Sequence, residues 1–302
     1  MSLPRQIVPG RVYMVTRRCS ERRFFMRPDH ATTEAFLYCL ILAAQRCNVG
    51  LIAFLANSNH WHGIVIDRDG RLPEFIHFFH VLFAKHQNCL RGRWENFWAS
   101  EQTSIVELIE PGDIVDKCAY ALANPVKDQL VEKAHHWPGA SALVALRHPR
   151  AICATRPKRF FRADGNLPHV VSLELSVPRG FVGRAEFRRR VDEQIAVVAI
   201  AATEKRRGSR RHVLGSKAVL AQPWSQRPDS QEPRRQLSPR VACRSKWARI
   251  EALQRNKQWL DAYAACRARY VAGDRRVVFP AGTYWLARQS AVKVAPWAER
   301  PG

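Results

Sequence analysis

Two apolar segments separated by three polar residues do most to limit what this chain can fold into. Residues 50–56 (Gly-Leu-Ile-Ala-Phe-Leu-Ala) and 60–67 (His-Trp-His-Gly-Ile-Val-Ile-Asp) flank Asn57-Ser58-Asn59. Runs rich in β-branched and aromatic residues, joined by so short a polar turn, read as two hairpin strands. Residues 11–16 (Arg-Val-Tyr-Met-Val-Thr) read as an earlier strand, and a short one is expected near Ser104–Leu108. Helices are expected at 33–46, capped by Thr32 or Thr33, at 73–90, and at 112–124, where Pro125 stops the last one. The order is strand, helix, strand, strand, helix, strand, helix. That order fits an α+β fold: a split β-α-β, antiparallel sheet with helices on one face.

The pattern weakens after residue 150. Residues 170–177 alternate like a strand and 185–206 look helical. Residues 222–240 carry four Pro among Ser, Gln and Arg and read as a linker. Residues 244–270 form a basic helix, and the tail from Val277 to Val294 returns as short strands. Charge divides the chain at the same place. Residues 1–145 hold 16 Lys+Arg against 14 Asp+Glu, and 146–302 hold 33 against 12. We therefore expect a near-neutral domain over 1–145 and a basic, mainly helical extension over 146–302 that meets a polyanion. A basic surface that only keeps the chain soluble is the plainer alternative. None of the eight Cys forms a Cys-x-x-Cys pair, and no signal-peptide pattern is seen. Reduced thiols in the cytoplasm, beside the nucleoid, are the expectation. The longest apolar stretch, 35–44, is too short to span a bilayer, so no membrane role is expected.

Three groups of residues can carry chemistry. On a strand, His60 and His62 share one face, about 7 Å apart at the backbone, and can clamp a divalent metal. Trp61 points the other way, as a core residue should. Ordinary packed or surface histidines would give the same spacing. Tyr120 and Asn124 lie four apart on a helix, so a phenol nucleophile and an amide oxygen stack on one face. A packed tyrosine with an asparagine near a helix end fits equally. Arg91, Arg93, Trp94 and Trp98 can hold phosphates and stack bases. The same aromatics can instead pack beneath a helix-to-strand connection.

Taken together these residues resemble the HUH superfamily of single-strand DNA endonucleases, in particular the REP-associated branch of the single-tyrosine transposases. The resemblance covers about residues 9–140. It runs through Val12-Tyr13-Met14-Val15-Thr16 with Arg17-Arg18, then Asn59-His60-Trp61-His62-Gly63-Ile64-Val65, then Tyr120 before Asn124-Pro125-Val126-Lys127, and ends at Trp137-Pro138-Gly139-Ala140-Ser141. Trp61 is large for its place, Ala121-Leu122-Ala123 lacks the polar residue often found there, and the basic extension is longer than in compact members. The resemblance implies a ferredoxin-like HUH domain. It implies one Mg²⁺ or Mn²⁺ ion held by His60, His62 and Asn124, and Tyr120 as a nucleophile that forms a 5′-phosphotyrosine. The partner would be single-stranded DNA beside a hairpin. Arg17, Arg18, Arg91 and Arg93 are the expected phosphate contacts and Trp94 the stacking residue, with the basic helix 244–270 on flanking DNA. Tyr120 can serve its own site or, in a homodimer, a partner's.

Three rival functions remain at this stage. A domesticated DNA-binding protein would bind but form no adduct. A hydrolytic nuclease would cut without Tyr120. An RNA-binding module lacks the aromatic motif or Gly-x-x-Gly clamp it would need.

Overall fold

The computed structural model describes residues 3–209, 212–230 and 239–297. Strand β1 (Arg11–Arg18) leads to helix α1 (His30–Cys47), the hairpin β2 (Val49–Ala56) and β3 (His60–Asp67), and helix α2 (Leu72–Leu90). Strand β4 (Ser104–Leu108), helix α3 (Pro111–Leu122) and the single turn α4 (Asn124–Lys127) complete the first half. The sheet order is β2-β3-β1-β4-β7, with β7 (Val241–Ala242) arriving from far along the chain. All pairs are antiparallel except β4 with β7.

Local chemistry sets the helix starts. Asp29, three residues before the threonine expected to cap α1, accepts from the Thr32 N–H at 2.9 Å and begins the helix earlier. Glu110 and Asp113 form a reciprocal capping box on α3. Pro125 ends α3 as expected, but the chain restarts as α4.

The helices lie on both faces of the sheet, which corrects the one-face expectation. Phe36 of α1 and Phe79 of α2 pack edge-on to Trp61, at ring distances of 6.0 and 5.0 Å. Tyr120 of α3 packs on His62, the next residue along β3, at 5.5 Å. Successive strand residues point to opposite faces, so α3 covers the side away from α1 and α2. Near-continuous burial of β2 and β3 follows from this.

Residues after 146 build onto this core. Strands β5 (Ile152–Thr155) and β6 (Val170–Leu173) form a second small sheet beside α1, where the Tyr38 hydroxyl donates to the Pro168 carbonyl at 2.7 Å. Helix α5 (Leu143–Arg147) precedes them, and α6 (Arg184–Ser209) packs on α3 through buried Phe187, Val191 and Ile195. After α7 (Ser216–Ala221), Trp224 lies against Phe25 at a ring distance of 6.0 Å. Arg27 and Arg23 donate to the carbonyls of Gln222 and Ser225. The first part of the expected linker is therefore docked, and its positions 231–238 lie outside the described residues. Helix α8 (Lys246–Val271) buries Ala252 and Trp259. The tail forms the paired strands Val278–Phe279 and Lys293–Val294.

Asp67 ends β3 with no exposure and accepts the N–H groups of Arg71 and Leu72 at 2.7 and 3.0 Å, fixing the entry to α2. Burial lifts its carboxyl to about 6, against the pull of the N–H groups of Leu72, Arg71 and Gly70. The unfolded chain holds the same group near ~4. The native state thus binds the proton more tightly, so stability falls as pH rises from ~4 to about 6 and is flat above. Asp67→Asn removes that titration. Urea unfolding at pH 4 and pH 7 is expected to shift the difference between the two proteins by roughly 2–3 kcal/mol in the variant's favour. A difference that ignores pH would show that the carboxyl is not lifted.

Candidate functional site

The histidine face of β3 meets α3 and α4 at one place. Antiparallel pairing sets Thr16 opposite His62 and Arg18 opposite His60. The Thr16 hydroxyl lies 2.8 Å from His62 Nδ1. His62 Nε2 is buried and has no hydrogen-bond partner. His60 Nδ1 lies 2.7 Å from Asn59 Oδ1, an oxygen that only accepts, which puts the proton on Nδ1 and leaves Nε2 as a lone pair. The two imidazole rings are 4.8 Å apart.

Asn57 connects the remaining parts. Its Nδ2 donates to Asn124 Oδ1 at 2.8 Å and lies 3.0 Å from His60 Nε2, while its own Oδ1 is buried without a partner. One amide nitrogen thus touches the lone pairs of two expected metal ligands, and the third, His62 Nε2, is unpartnered. An orphaned buried imidazole nitrogen beside a second imidazole and two amide oxygens is a donor set that fits a divalent cation. Burial holds His62 well below the ordinary imidazole range, and the charges of His60, Lys127 and Arg18 push the same way. His62 is therefore neutral near pH 7, the form that ligates.

Tyr120 is half-buried, with its ring on His62. Two ammonium groups flank that ring, Lys127 Nζ at 4.5 Å and Lys117 Nζ at 5.9 Å from its centroid. Because the helix breaks at Ala123, Asn124 stands on α4 and not one turn along a continuous α3. Its buried side chain reaches the histidines by starting that new turn. Behind β2, Trp137 donates to the Ala56 carbonyl at 2.9 Å, and Ser141 bridges to Leu55.

The expected DNA contacts divide sharply. Arg91 is 5% exposed at its side chain and donates to the Phe25 carbonyl, the Thr32 hydroxyl and Asp29. Arg17 donates to the carbonyls of Ala99 and Glu101, and Arg93 lies 3.7 Å over the Phe25 ring. These three arginines hold the 91–101 connection. Phe97 is buried and Trp98 Nε1 donates to the His80 carbonyl, so those aromatics pack underneath. Arg18 is exposed at the histidine end of β1, and Trp94 is 87% exposed. On α8, Lys246, Arg249, Lys257 and Arg267 are exposed, whereas Arg255 pairs with Glu107 and Arg269 with Asp274; Arg244, just before the helix, pairs with Asp116. Sequence reasoning missed Asn57, Thr16, Lys117 and Lys127. Among the described residues a second group of metal-capable atoms, Glu110, Asp113 and Cys243, lies within 4.8 Å of one another. The capping box and the Arg244 N–H bond to Asp113 account for that grouping.

No family model matches the chain, and no curated protein matches it. Among solved structures it is similar to a tyrosine transposase. That structure is of a REP-associated tyrosine transposase bound to a REP hairpin. The TM-score is 0.40 and the identity 16%, over 47% of this chain and 82% of the other. No helix among the described residues is long and apolar enough to cross a membrane.

Proposed function

We propose that this chain nicks and rejoins single-stranded DNA through Tyr120, as a metal-dependent transposase. The observation that carries the reading is the meeting of five side chains at one point. His62 presents a buried, unpartnered Nε2, Asn57 joins His60 to Asn124, and the Tyr120 ring rests on His62. His60, His62 and Asn124 would hold one Mg²⁺ or Mn²⁺ ion. When bound, that ion supplies Lewis-acid polarisation of the phosphodiester.

The chain's own groups then act in order. Asn59 and Thr16 engage the two Nδ1 atoms and fix the ring orientations, which leaves the Nε2 atoms as the ones to ligate. Lys117 and Lys127 place positive charge beside the phenol ring, which draws the phosphate towards it. The Tyr120 oxygen bonds to phosphorus and its proton leaves to solvent, while the bond from phosphorus to the 3′ oxygen breaks and that oxygen takes a proton from solvent. The products are a 5′-phosphotyrosine and a free 3′-hydroxyl. A second 3′-hydroxyl reverses the step: it bonds to phosphorus, the tyrosyl oxygen leaves, and Tyr120 regains its proton. No high-energy cofactor is needed, because the phosphotyrosine retains the energy of the broken link. Arg18 and Trp94 would meet backbone and base, and the exposed cations of α8 would hold flanking DNA. In this reading residues 1–145 carry the chemistry and 146–302 the electrostatic grip.

The test uses end-labelled oligonucleotides, with and without hairpins, and Mg²⁺ or Mn²⁺. A denaturing gel is expected to show a covalent protein–DNA band that keeps the label 3′ of the nick. Mass spectrometry is expected to place the nucleotide on Tyr120, and EDTA to remove the band. Binding without adduct or cleavage would instead indicate a DNA-binding descendant that has lost turnover.

A further inference from the structure

Where the β4 edge of the sheet meets α8, a cleft is lined by Arg5, Arg11, Tyr13, Glu107, Arg240 and Arg255. Four guanidiniums thus share one carboxylate. Both oxygens of Glu107 are taken, by Arg11 at 3.0 Å and by Arg255 at 2.9 Å. Arg240 donates to the backbone carbonyls of Leu3 and Pro4, which carry no charge. Arg5 has neither a hydrogen bond nor an ion pair among the described residues. Burial and the neighbouring Arg240 push its guanidinium down to about 10, so it still carries its charge at neutral pH.

Tyr13 supplies the second, independent observation. It is 1% exposed, and its hydroxyl oxygen is buried without a hydrogen-bond partner. The Val8 N–H draws near that oxygen without completing a bond. A buried hydroxyl with no acceptor destabilises a fold, and four guanidiniums around one carboxylate leave a half-buried cluster with excess positive charge. One anion between them would relieve both. A water would satisfy the hydroxyl and leave the charge uncompensated. Size decides the class of anion: the cleft leaves about 10 Å³ for the centre of a water-sized guest. That is room for one small, compact anion.

The geometry points to a halide site: a single chloride ion held by the Tyr13 hydroxyl and the Arg5 guanidinium, within the ring of Arg11, Arg240 and Arg255. The ion would tie together the N-terminal segment, β1, β4, the approach to β7, and α8. It would fasten the C-terminal part of the chain to the sheet without touching the histidine face. The inference is independent of the nicking reading, and neither depends on the other's outcome.

The test is thermal unfolding of the full chain at fixed ionic strength, with chloride or bromide replacing glutamate, an anion too large for the cleft. The wild-type Tm is expected to rise with chloride and saturate, by roughly 2–4 °C once chloride is several times its Kd. Tyr13→Phe keeps the ring and its packing, and it should lose that saturable rise. Arg5→Gln should lose it too. Crystals grown in sodium bromide should show an anomalous peak between Tyr13 and Arg5, a readout that needs no variant. An identical chloride response in wild type and Tyr13→Phe, or only a water at the cleft in bromide, would overturn the proposal.

Discussion

Tyr120→Phe is expected to bind single-stranded DNA as the wild type does and to form no covalent adduct. The substitution removes one oxygen and leaves the ring in place. The ring contact with His62 and the flanking ammonium groups of Lys117 and Lys127 are made by the ring, so they survive. Tyr120 is half-buried at the surface of the core, so the fold should tolerate the change. What is lost is the only atom that can bond to phosphorus in the proposed step. We expect nicking to fall by at least about a thousand-fold, the scale seen when an enzyme loses its nucleophile. Filter binding at one fixed salt concentration and a denaturing gel, run side by side, separate binding from chemistry. Cleavage that persists in Tyr120→Phe with free 5′ ends would sink the covalent mechanism. It would leave His60, His62 and Asn124 as the site of metal-assisted hydrolysis.

How much of this was legible before folding depended on sequence distance. The hairpin and the His60-x-His62 face rest on alternation within a few residues, and the structure places both histidines on one face. Strand β4 and the helix carrying Tyr120 could be read the same way. Asn57 could not, because an asparagine in a tight turn has a sufficient local explanation, and its bond to Asn124 spans 67 positions. Thr16 needed the register of β1 against β3. Arg91 and Arg93 beside Trp94 look like a nucleic-acid surface on paper. Their real partners, Asp29, Thr32 and Phe25, lie more than fifty residues earlier, and Trp224 lies more than a hundred later. The one-face expectation failed for a related reason. Element order fixes which strands and helices alternate, but the side each helix takes is set by which strand residues it meets. Trp61 and His62 are neighbours in sequence and belong to opposite layers.

That adjacency makes Trp61→Ala the largest expected loss of stability. Trp61 has no exposure and packs against Phe36, Phe79 and His80. Its Nε1 donates to His80 Nε2 at 3.1 Å. Truncation empties a large core site, worth ~3–5 kcal/mol. It also leaves the buried His80 nitrogen unpaired, which adds ~1–3 kcal/mol where the site cannot admit water. Against the ~5–15 kcal/mol of a typical domain, that is a third or more of the total. Trp61→Phe keeps most of the packing and loses the donor, so a drop of roughly 1–3 kcal/mol is expected. A second variant shows that the ring itself carries the effect. A Cβ added at Gly63 would stand 2.5 Å from Trp61 Cζ3, so Gly63→Ala should destabilise the wild type strongly. It should do so less in Trp61→Phe, whose smaller ring vacates that space. Urea unfolding of the four proteins closes the cycle. Equal costs for Gly63→Ala in both backgrounds would mean that the clash is taken up elsewhere. A positive coupling would mean that the indole holds β3 against the helix layer, and so holds His60 and His62 to their own face two atoms of backbone away.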